Sequence, residues 1–339
     1  MRRGWWLVVL LAGCGHLADP QPETPQPKRP HSAYARSVGE RSYRVDEAAI
    51  ASAGRPARTS GVNVAQIESL ARGGPAAASK IAAFLADPSP EVRAAAVEAL
   101  GRFGPRADPA VPAVEPALRS GDARVRLDAC KALVAISTAR TADALERASA
   151  DASPAVQAWA HAGLAGIEPP SCPEHLAAVA ESLRDSSADA APELARAAER
   201  MRCASPEAVA SLRQAMQKSD APVRAAAARV LGALGPAAAE ALPELLEAAE
   251  NRKVPQVRQA ALLAMAHLGP SAAPAVERLI AILRDPAPRF RELAAHVLGS
   301  IGPAARPAVG ALEKAMLDGE AVVQAAARRA LSQIEGAGR

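Results

Sequence analysis

The sequence predicts an all-α protein in which pairs of helices repeat along the chain. Half of its 339 residues are hydrophobic but only 2% are aromatic, so small aliphatic side chains must fill the core. Alanine has the highest helix propensity and lets helices approach closely. No segment alternates β-branched or aromatic residues with polar ones, as a strand does. Together with a repeating apolar pattern, these observations predict helices and exclude a sheet.

The repeating pattern is an apolar stripe along one helix face. From Val223, apolar residues recur at steps of 4, 7, 8 and 11 residues, which all fall on one side of a helix. The same template fits from anchor residues spaced by 33, 31, 67, 34, 33 and 33 positions: Val92, Val125, Val156, Val223, Val257, Phe290 and Val323. The gap of 67 residues equals two periods. It therefore predicts a further unit near residue 190, and the template fits there too, at Ala190, Leu194, Ala197, Ala198 and Met201.

Turn residues separate these stripes at regular places. A turn with Asp and Pro precedes most anchors, as in Asp87-Pro88, and we expect its Asp or Ser to cap the helix that follows. Four first helices end in Gly-Pro, at 104–105, 235–236, 269–270 and 302–303. We expect each Gly to adopt the left-handed conformation while the Pro stops the helix. A second apolar helix then completes a unit of about 33 residues.

Most anchors are followed directly by Arg, and this pairing gives the pattern its family resemblance. Val92-Arg93, Val125-Arg126, Val223-Arg224, Val257-Arg258 and Phe290-Arg291 resemble the HEAT repeat, more narrowly the HEAT-like repeat of phycobilin-lyase proteins. The resemblance implies an α-solenoid of about eight helix pairs forming a superhelix over residues 61–339, with a binding face on the second helices. We expect each Arg to form ladder hydrogen bonds between units with the repeated Asp four to six residues upstream. Residues 151–218 lack the Arg and the Gly-Pro turn. This segment is either a worn scaffold, in which the repeat pattern has degenerated without a new role, or a specialised surface.

The first 60 residues have a different composition. Residues 1–13 contain two Arg and then an apolar run that is too short to span a bilayer as a helix. Leu11-Ala12-Gly13-Cys14 resembles the lipobox of bacterial lipoproteins. The resemblance implies that 1–13 is a signal peptide, that Cys14 is acylated, and that the protein is lipid-anchored in the cell envelope. The Pro-rich segment 14–60 predicts a disordered tether, with a proline-rich ligand motif as the alternative.

Charge and motifs exclude several classes of function. The net charge of +4 belongs to the leader and tether, because residues 61–339 carry 31 basic and 31 acidic residues. A surface with equal and interspersed basic and acidic residues has no basic patch that could bind the nucleic-acid backbone. The chain has no phosphate-binding loop, nucleophile elbow or His-Glu pair. We therefore predict no catalytic residue, no metal, no cofactor and no small-molecule substrate.

The cysteines suggest one crosslink. Cys172 and Cys203 lie about one period apart, so both fall near turns of adjacent units, and an exported protein can keep a disulfide between them. Cys130 lies within an apolar stripe and is predicted to be a buried free thiol. The Cys172-x-x-His175 spacing offers an alternative zinc or haem site, although it lacks the usual further ligands.

Trp159 is the candidate contact residue. It lies three residues after its anchor, where other units carry Ala95, Ala226 or Leu293, and could equally fill space between repeats. The sequence favours a membrane-anchored, non-catalytic scaffold that binds another exported or envelope protein. The alternatives are a cofactor- or chromophore-attaching protein of the lyase type and a purely structural envelope component.

Overall fold

The computed structural model describes residues 60–336 apart from Ser219, all within one compact unit. The predicted signal peptide, Cys14 and the tether up to residue 59 lie outside the described residues. Every regular element in the described part is helical, so the predicted all-α solenoid is confirmed. No helix in this part is both long and apolar enough to cross a membrane.

Seventeen α-helices in the described residues form eight pairs and a final single helix. The first helices of the units are α1 (Ser60–Arg72), α3 (Pro90–Phe103), α5 (Ala123–Ile136), α7 (Pro154–Ile167), α9 (Ala191–Arg200), α11 (Ala221–Leu234), α13 (Pro255–Leu268), α15 (Pro288–Ile301) and α17 (Ala321–Gly336). The second helices are α2 (Ala78–Ala82), α4 (Val111–Leu118), α6 (Ala142–Ala148), α8 (Cys172–Asp185), α10 (Pro206–Met216), α12 (Leu242–Glu250), α14 (Val276–Ile282) and α16 (Val309–Ala315).

Each first helix packs on the first helices of the neighbouring units, so the repeats stack in one dimension. The predicted apolar stripes form the core: Val223, Ala227 and Leu231 of α11 are at most 1% exposed. The unit expected near residue 190 exists as α9, whose Leu194, Ala197 and Ala198 are buried.

The Gly-Pro turns differ from the prediction in one dihedral angle. Gly104, Gly235, Gly269 and Gly302 all have positive φ, as expected. Their ψ lies near −135° (Gly104 −135°, Gly302 −141°), which is outside the left-handed helical region. The reason is the following proline, whose ring disfavours helical ψ at the preceding residue. Ser137, which no proline follows, ends α5 in the left-handed conformation.

Asp87, Asp151 and Asp285 do not cap helices as predicted. Asp87 Oδ1 accepts a hydrogen bond from the backbone N–H of Ser89 at 2.8 Å, and Asp151 and Asp285 accept from the residue two positions on in the same way. Each carboxylate therefore fixes the turn one step before the helix begins. Among the described helices, side-chain caps are made by Asp122 and Ser205.

The expected Arg–Asp hydrogen bonds join consecutive units. In the two-bond examples, Arg291 Nε and Nη2 donate to the carboxylate of Asp318 at 2.8 Å, and Arg126 binds Asp151 at 2.7 and 2.9 Å. The carboxylate belongs to the turn of the following unit, so the upstream Asp was the wrong partner to expect. The turn preceding the Arg supplies backbone carbonyls instead, such as Asp285 O to Arg291. Arg291 and Arg126 therefore each connect two successive turns, whereas Arg93 binds Asp128 within α5.

Candidate protein-interaction surface

One side-chain cluster departs from the repeat and lies on the first helices α5, α7 and α9, not on the second helices where the family resemblance places the binding face. We name it the Trp159 surface: Lys131, Trp159, Glu193, Arg196 and Arg200. Trp159 and Glu193 both lie three residues after the anchor position of their units. Residues in the same register of adjacent first helices lie side by side in a stacked repeat. This is why two residues 34 positions apart meet.

Glu193 is the centre of this cluster. Its Oε2 accepts hydrogen bonds from Trp159 Nε1 and Lys131 Nζ, both at 3.0 Å, and its Oε1 accepts from Arg196 at 2.7 Å. Partial burial acts to raise the pKa of the Glu193 carboxyl, but the bond and charge of Lys131, with those of Trp159 and Arg196, outweigh it and lower the pKa. Glu193 therefore stays ionised and fixes the indole and both cations.

Two cations lie over the indole ring. Lys131 Nζ is 5.2 Å and Arg200 Cζ is 5.6 Å from its centroid, within the range of cation–π attraction. Arg200 is exposed and makes no ion pair with any carboxylate of the described residues. Because Lys131, Arg196 and Arg200 outnumber the one carboxylate of Glu193, the Trp159 surface carries net positive charge.

Trp159 also serves the packing role that the sequence left open. The hydrophobic core divides into two clusters of buried side chains, and half-buried Trp159 packs against both. The partly buried ring therefore fills space between repeats while its Nε1 donates to Glu193 and two cations lie over it. The two interpretations of Trp159 are compatible in this geometry.

The structure places the three cysteines of the repeats as follows. Cys172 at the start of α8 is disulfide-bonded to Cys203, which follows α9, and this bond joins adjacent units. The Cys172 sulfur is therefore not free for the Cys-x-x-His alternative. Cys130 is a buried free thiol whose pKa burial raises to about 12, so it stays protonated and unreactive.

The structure also brings together two histidines that the sequence analysis did not pair. His161 of α7 and His175 of α8 have their Nδ1 atoms 3.0 Å apart. The turn at Pro169–Ser171 joins these two helices, and His161 lies eight residues before it whereas His175 lies four residues after it. The position of the turn was the available signal. In the described residues, no group of three or more His, Cys, Asp or Glu side chains is placed to hold a metal ion.

Comparison with known proteins supports the architecture. The family model described as HEAT repeats matches residues 78–165, 174–266 and 242–332. No curated protein matches the chain. Yeast importin-beta (Kap95p) is similar in structure with a TM-score of 0.59 and 14% identity, over 83% of this chain and 42% of that one. A homology model of the full-length AP-3 complex in an intermediate open conformation has a TM-score of 0.56 and 14% identity, over 80% of this chain and 54% of that one.

These two similarities show the fold alone, because their identities are low. The family match extends over most of the chain and includes the irregular middle units, in which the Arg and the Gly-Pro turn are missing. The chain therefore belongs to the HEAT-repeat family.

Proposed function

We propose that this protein is a membrane-anchored, non-catalytic scaffold that binds another exported or envelope protein through its repeats, with the Trp159 surface as the contact. HEAT-repeat solenoids are typical protein-interaction scaffolds, and one structural neighbour is described within a complex. The stacked repeats form a long surface, on which the binding energies of many weak side-chain contacts can add up.

The observation that carries the proposal is the Trp159 surface itself. Where other units place Ala95 or Leu293, this unit places an indole held by a partly buried hydrogen bond to Glu193. Trp and Arg are the residue types that contribute most to protein–protein binding energy, especially when their rotamers are fixed beforehand. Arg196 and Arg200 are exposed beside it, so the surface suits an acidic segment of the partner.

The anchoring part of the proposal derives from the N-terminal sequence. The lipobox-like Leu11–Cys14 favours acylation at Cys14, and the proline-rich segment behind it favours an extended spacer. Its first fifteen residues would reach about 45 Å if fully polyproline II. Such a tether would hold the repeats away from the membrane and within reach of other envelope proteins.

The contact can be tested by photo-crosslinking in intact cells. A photoreactive amino acid replaces Arg196, which lies six residues after its anchor position, and a control protein carries it at His296, in the same register of α15. We expect a discrete protein adduct from position 196 and none of that size from position 296. Equal adducts at both positions, or none at 196 in a folded and exported protein, would contradict the assigned contact. A pigment bound to the purified protein would instead favour the lyase-type alternative.

The anchor has a separate test. Mass spectrometry of the mature N-terminus should find acylated Cys14, and Cys14→Ser should move the protein from the membrane fraction to the soluble fraction. A Cys14→Ser protein that remains in the membrane fraction after a high-salt wash would overturn the lipid anchor without affecting the contact proposal.

A further inference from the structure

The turn between α12 and α13 differs at one residue from the turns that follow α14 and α16. In the turn after α16, Asp318 Oδ1 accepts the backbone N–H of Glu320, and its Oδ2 accepts from Arg291 Nε. Asn251 occupies the same place in the turn after α12, where its Oδ1 accepts the backbone N–H of Lys253 at 3.0 Å. The turn is therefore kept, but an amide NH₂ group, which only donates, replaces the second carboxylate oxygen.

The arginine that precedes this turn is Arg224. Its Nη1 donates to Lys218 O at 2.7 Å, as Arg291 Nη1 donates to Asp285 O at 2.8 Å, so both guanidinium groups are held on their own turns in the same way. By register, the NH₂ group of Asn251 takes the position at which the later units present an acceptor to this arginine. An anion at that position would accept hydrogen bonds from the amide and from Arg224, in addition to those that Arg224 already makes.

A cavity of about 290 Å³ opens at this position, and both Arg224 and Asn251 line it. Its volume is roughly ten times the ~30 Å³ that one water molecule occupies in the liquid, so it holds a ligand of about ten non-hydrogen atoms. Three side chains form its apolar wall: Met216, Ala248 and Val254. The cavity therefore has the size of one amino acid, with a polar end and an apolar wall.

The charges along the cavity are mixed. Two cations and two carboxylates line it: Lys218, Arg224, Glu244 and Glu247. The Glu244 carboxylate accepts from Arg213 at 2.9 Å, and the exposed Lys218 Nζ lies 3.9 Å from the carboxylate of Asp185. A ligand that carries both an anion and a cation matches these charges better than a simple anion does.

The position of Glu247 specifies where the cation of such a ligand would lie. Glu247 and Asn251 are four residues apart on the last turn of α12, where the Asn251 N–H donates to Glu247 O at 3.1 Å. Side chains with this spacing are neighbours, about 5–6 Å apart at Cβ. A carboxylate bound at Asn251 would therefore leave an ammonium group on the adjacent carbon within reach of the exposed Glu247. A free α-amino acid has this arrangement, whereas a chain terminus carries only one of the two groups.

We propose that this cavity binds a free α-amino acid with an apolar side chain. Its carboxylate accepts hydrogen bonds from Arg224 and Asn251, its ammonium group lies at Glu247, and its side chain packs against Met216 and Val254. No covalent bond of the ligand changes, so the site binds and does not catalyse. It includes no residue of the Trp159 surface, so the contact proposal and this one can fail independently.

Isothermal titration calorimetry of the full-length protein with L-leucine tests the site. Asn251→Asp is the most informative variant, because it restores the aspartate of the later turns and places a carboxylate where the ligand's own would bind. Glu313→Gln is the control, since it removes an exposed glutamate of α16 outside the cavity. We expect the wild type and Glu313→Gln to bind L-leucine equally, and the affinity to fall at least about tenfold in Asn251→Asp and in Glu247→Gln.

Two ligand analogues test each charged group separately. Leucinamide lacks the carboxylate and 4-methylpentanoate lacks the ammonium group, and each should bind the wild type at least about tenfold more weakly than L-leucine. Circular dichroism checks that every variant folds. No binding of L-leucine to the wild type, or equal affinity in a folded Asn251→Asp protein, would overturn the proposal. Equal binding of either analogue would also overturn it, because the site would then not recognise an amino acid.

Discussion

Residues 221–336 and residues 151–218 belong to the same repeat family but stabilise their units by different means. In the later units, Gly-Pro turns end the first helices and Arg–Asp hydrogen bonds such as Arg291–Asp318 connect successive turns. In the middle units, the Gly-Pro turns and the repeated Arg are missing. A disulfide, the Glu193 hydrogen bonds and the histidine pair occur there instead.

The difference shows how a repeat protein can free a region for a specific role. A Gly-Pro turn or an Arg–Asp hydrogen bond that recurs in every unit constrains the residue types at its positions. Where a disulfide joins two units instead, residues that differ from the repeat, such as Trp159 and His161, can be accommodated. This favours the specialised surface over the worn scaffold as the interpretation of residues 151–218.

The largest expected effect is that of removing the disulfide. Its loop spans 31 residues, for which chain entropy gives roughly 3–4 kcal/mol of stabilisation. Cys172→Ser, or a reducing agent, should therefore increase hydrogen exchange in α8, α9 and α10 while leaving α13 and α15 protected. The control is the Cys172→Ser protein, in which a reducing agent should change nothing further. Unchanged hydrogen exchange after reduction would contradict the proposal that the disulfide stabilises these two units.

A smaller effect is expected from Arg291→Met in the regular units. Arg291 and Asp318 are 15% and 14% exposed, so losing the cation leaves a partly buried carboxylate without its main donor. We expect a loss of about 2 kcal/mol in the free energy of unfolding of this end of the repeat array. Arg278→Met, which removes an exposed ion pair with Glu250, serves as the control and should cost less than about 1 kcal/mol.

The same substitution should show a characteristic pH dependence. The hydrogen bond from Arg291 lowers the pKa of the Asp318 carboxyl below its ordinary value of 3.8. The stabilisation is therefore fully present above about pH 4 and is lost as the pH falls through the lowered pKa. Chemical unfolding at several pH values should show the difference between wild type and Arg291→Met shrinking below pH 4. A difference that stays constant down to pH 2 would contradict the charge-based explanation.

Two glycines in one register offer a sharper comparison of packing. A Cβ at Gly232 would lie 2.9 Å from Ala264 Cα, in the backbone of α13, whereas a Cβ at Gly101 meets only Ala135 Cβ at 3.5 Å. Gly232→Ala should destabilise the protein by about 1–2 kcal/mol, because overpacking exceeds the gain in helix propensity. Gly101→Ala should stabilise it by up to about 1 kcal/mol. Thermal unfolding of the two variants should therefore shift in opposite directions.

The smallest effect on stability is expected at Trp159. Trp159→Phe keeps an aromatic ring against both core clusters and removes the donor to Glu193, so its cost should stay near 1 kcal/mol. Binding of the crosslinked partner should nevertheless fall at least about tenfold, because the ring is no longer fixed and the local charges rearrange. A partner affinity equal to that of wild type would indicate that Trp159 only fills space.

Much of the fold could be predicted because burial repeats with a period that one sequence displays. The stripe beginning at Val223 and the gap of two periods were sufficient to predict α9. The ψ angle of Gly104 and the Asx-type turn at Asp87 were not predicted, because they depend on backbone geometry at a single residue.

The candidate site was predicted only in part. Trp159 stood out as an exception to the template, but its bond to Glu193 required comparing registers across units. The histidine pair depends on how α7 folds back onto α8, which the spacing of 14 residues does not reveal without the position of the turn. Side-chain direction, unlike periodicity, depends on such local geometry.

The division of the core at α7 has a consequence for cooperativity. Val156, Ala160 and Leu164 on one face of α7 belong to the cluster formed with the preceding units, and Ala158, Ala162 and Ala165 on another face belong to the cluster formed with the following ones. In a one-dimensional array, the repeats before α7 and the repeats after α7 can unfold independently only if the contacts on one face of α7 break while those on the other face remain. A ligand that binds α5, α7 and α9 at once would thus make the repeats on the two sides of α7 unfold together.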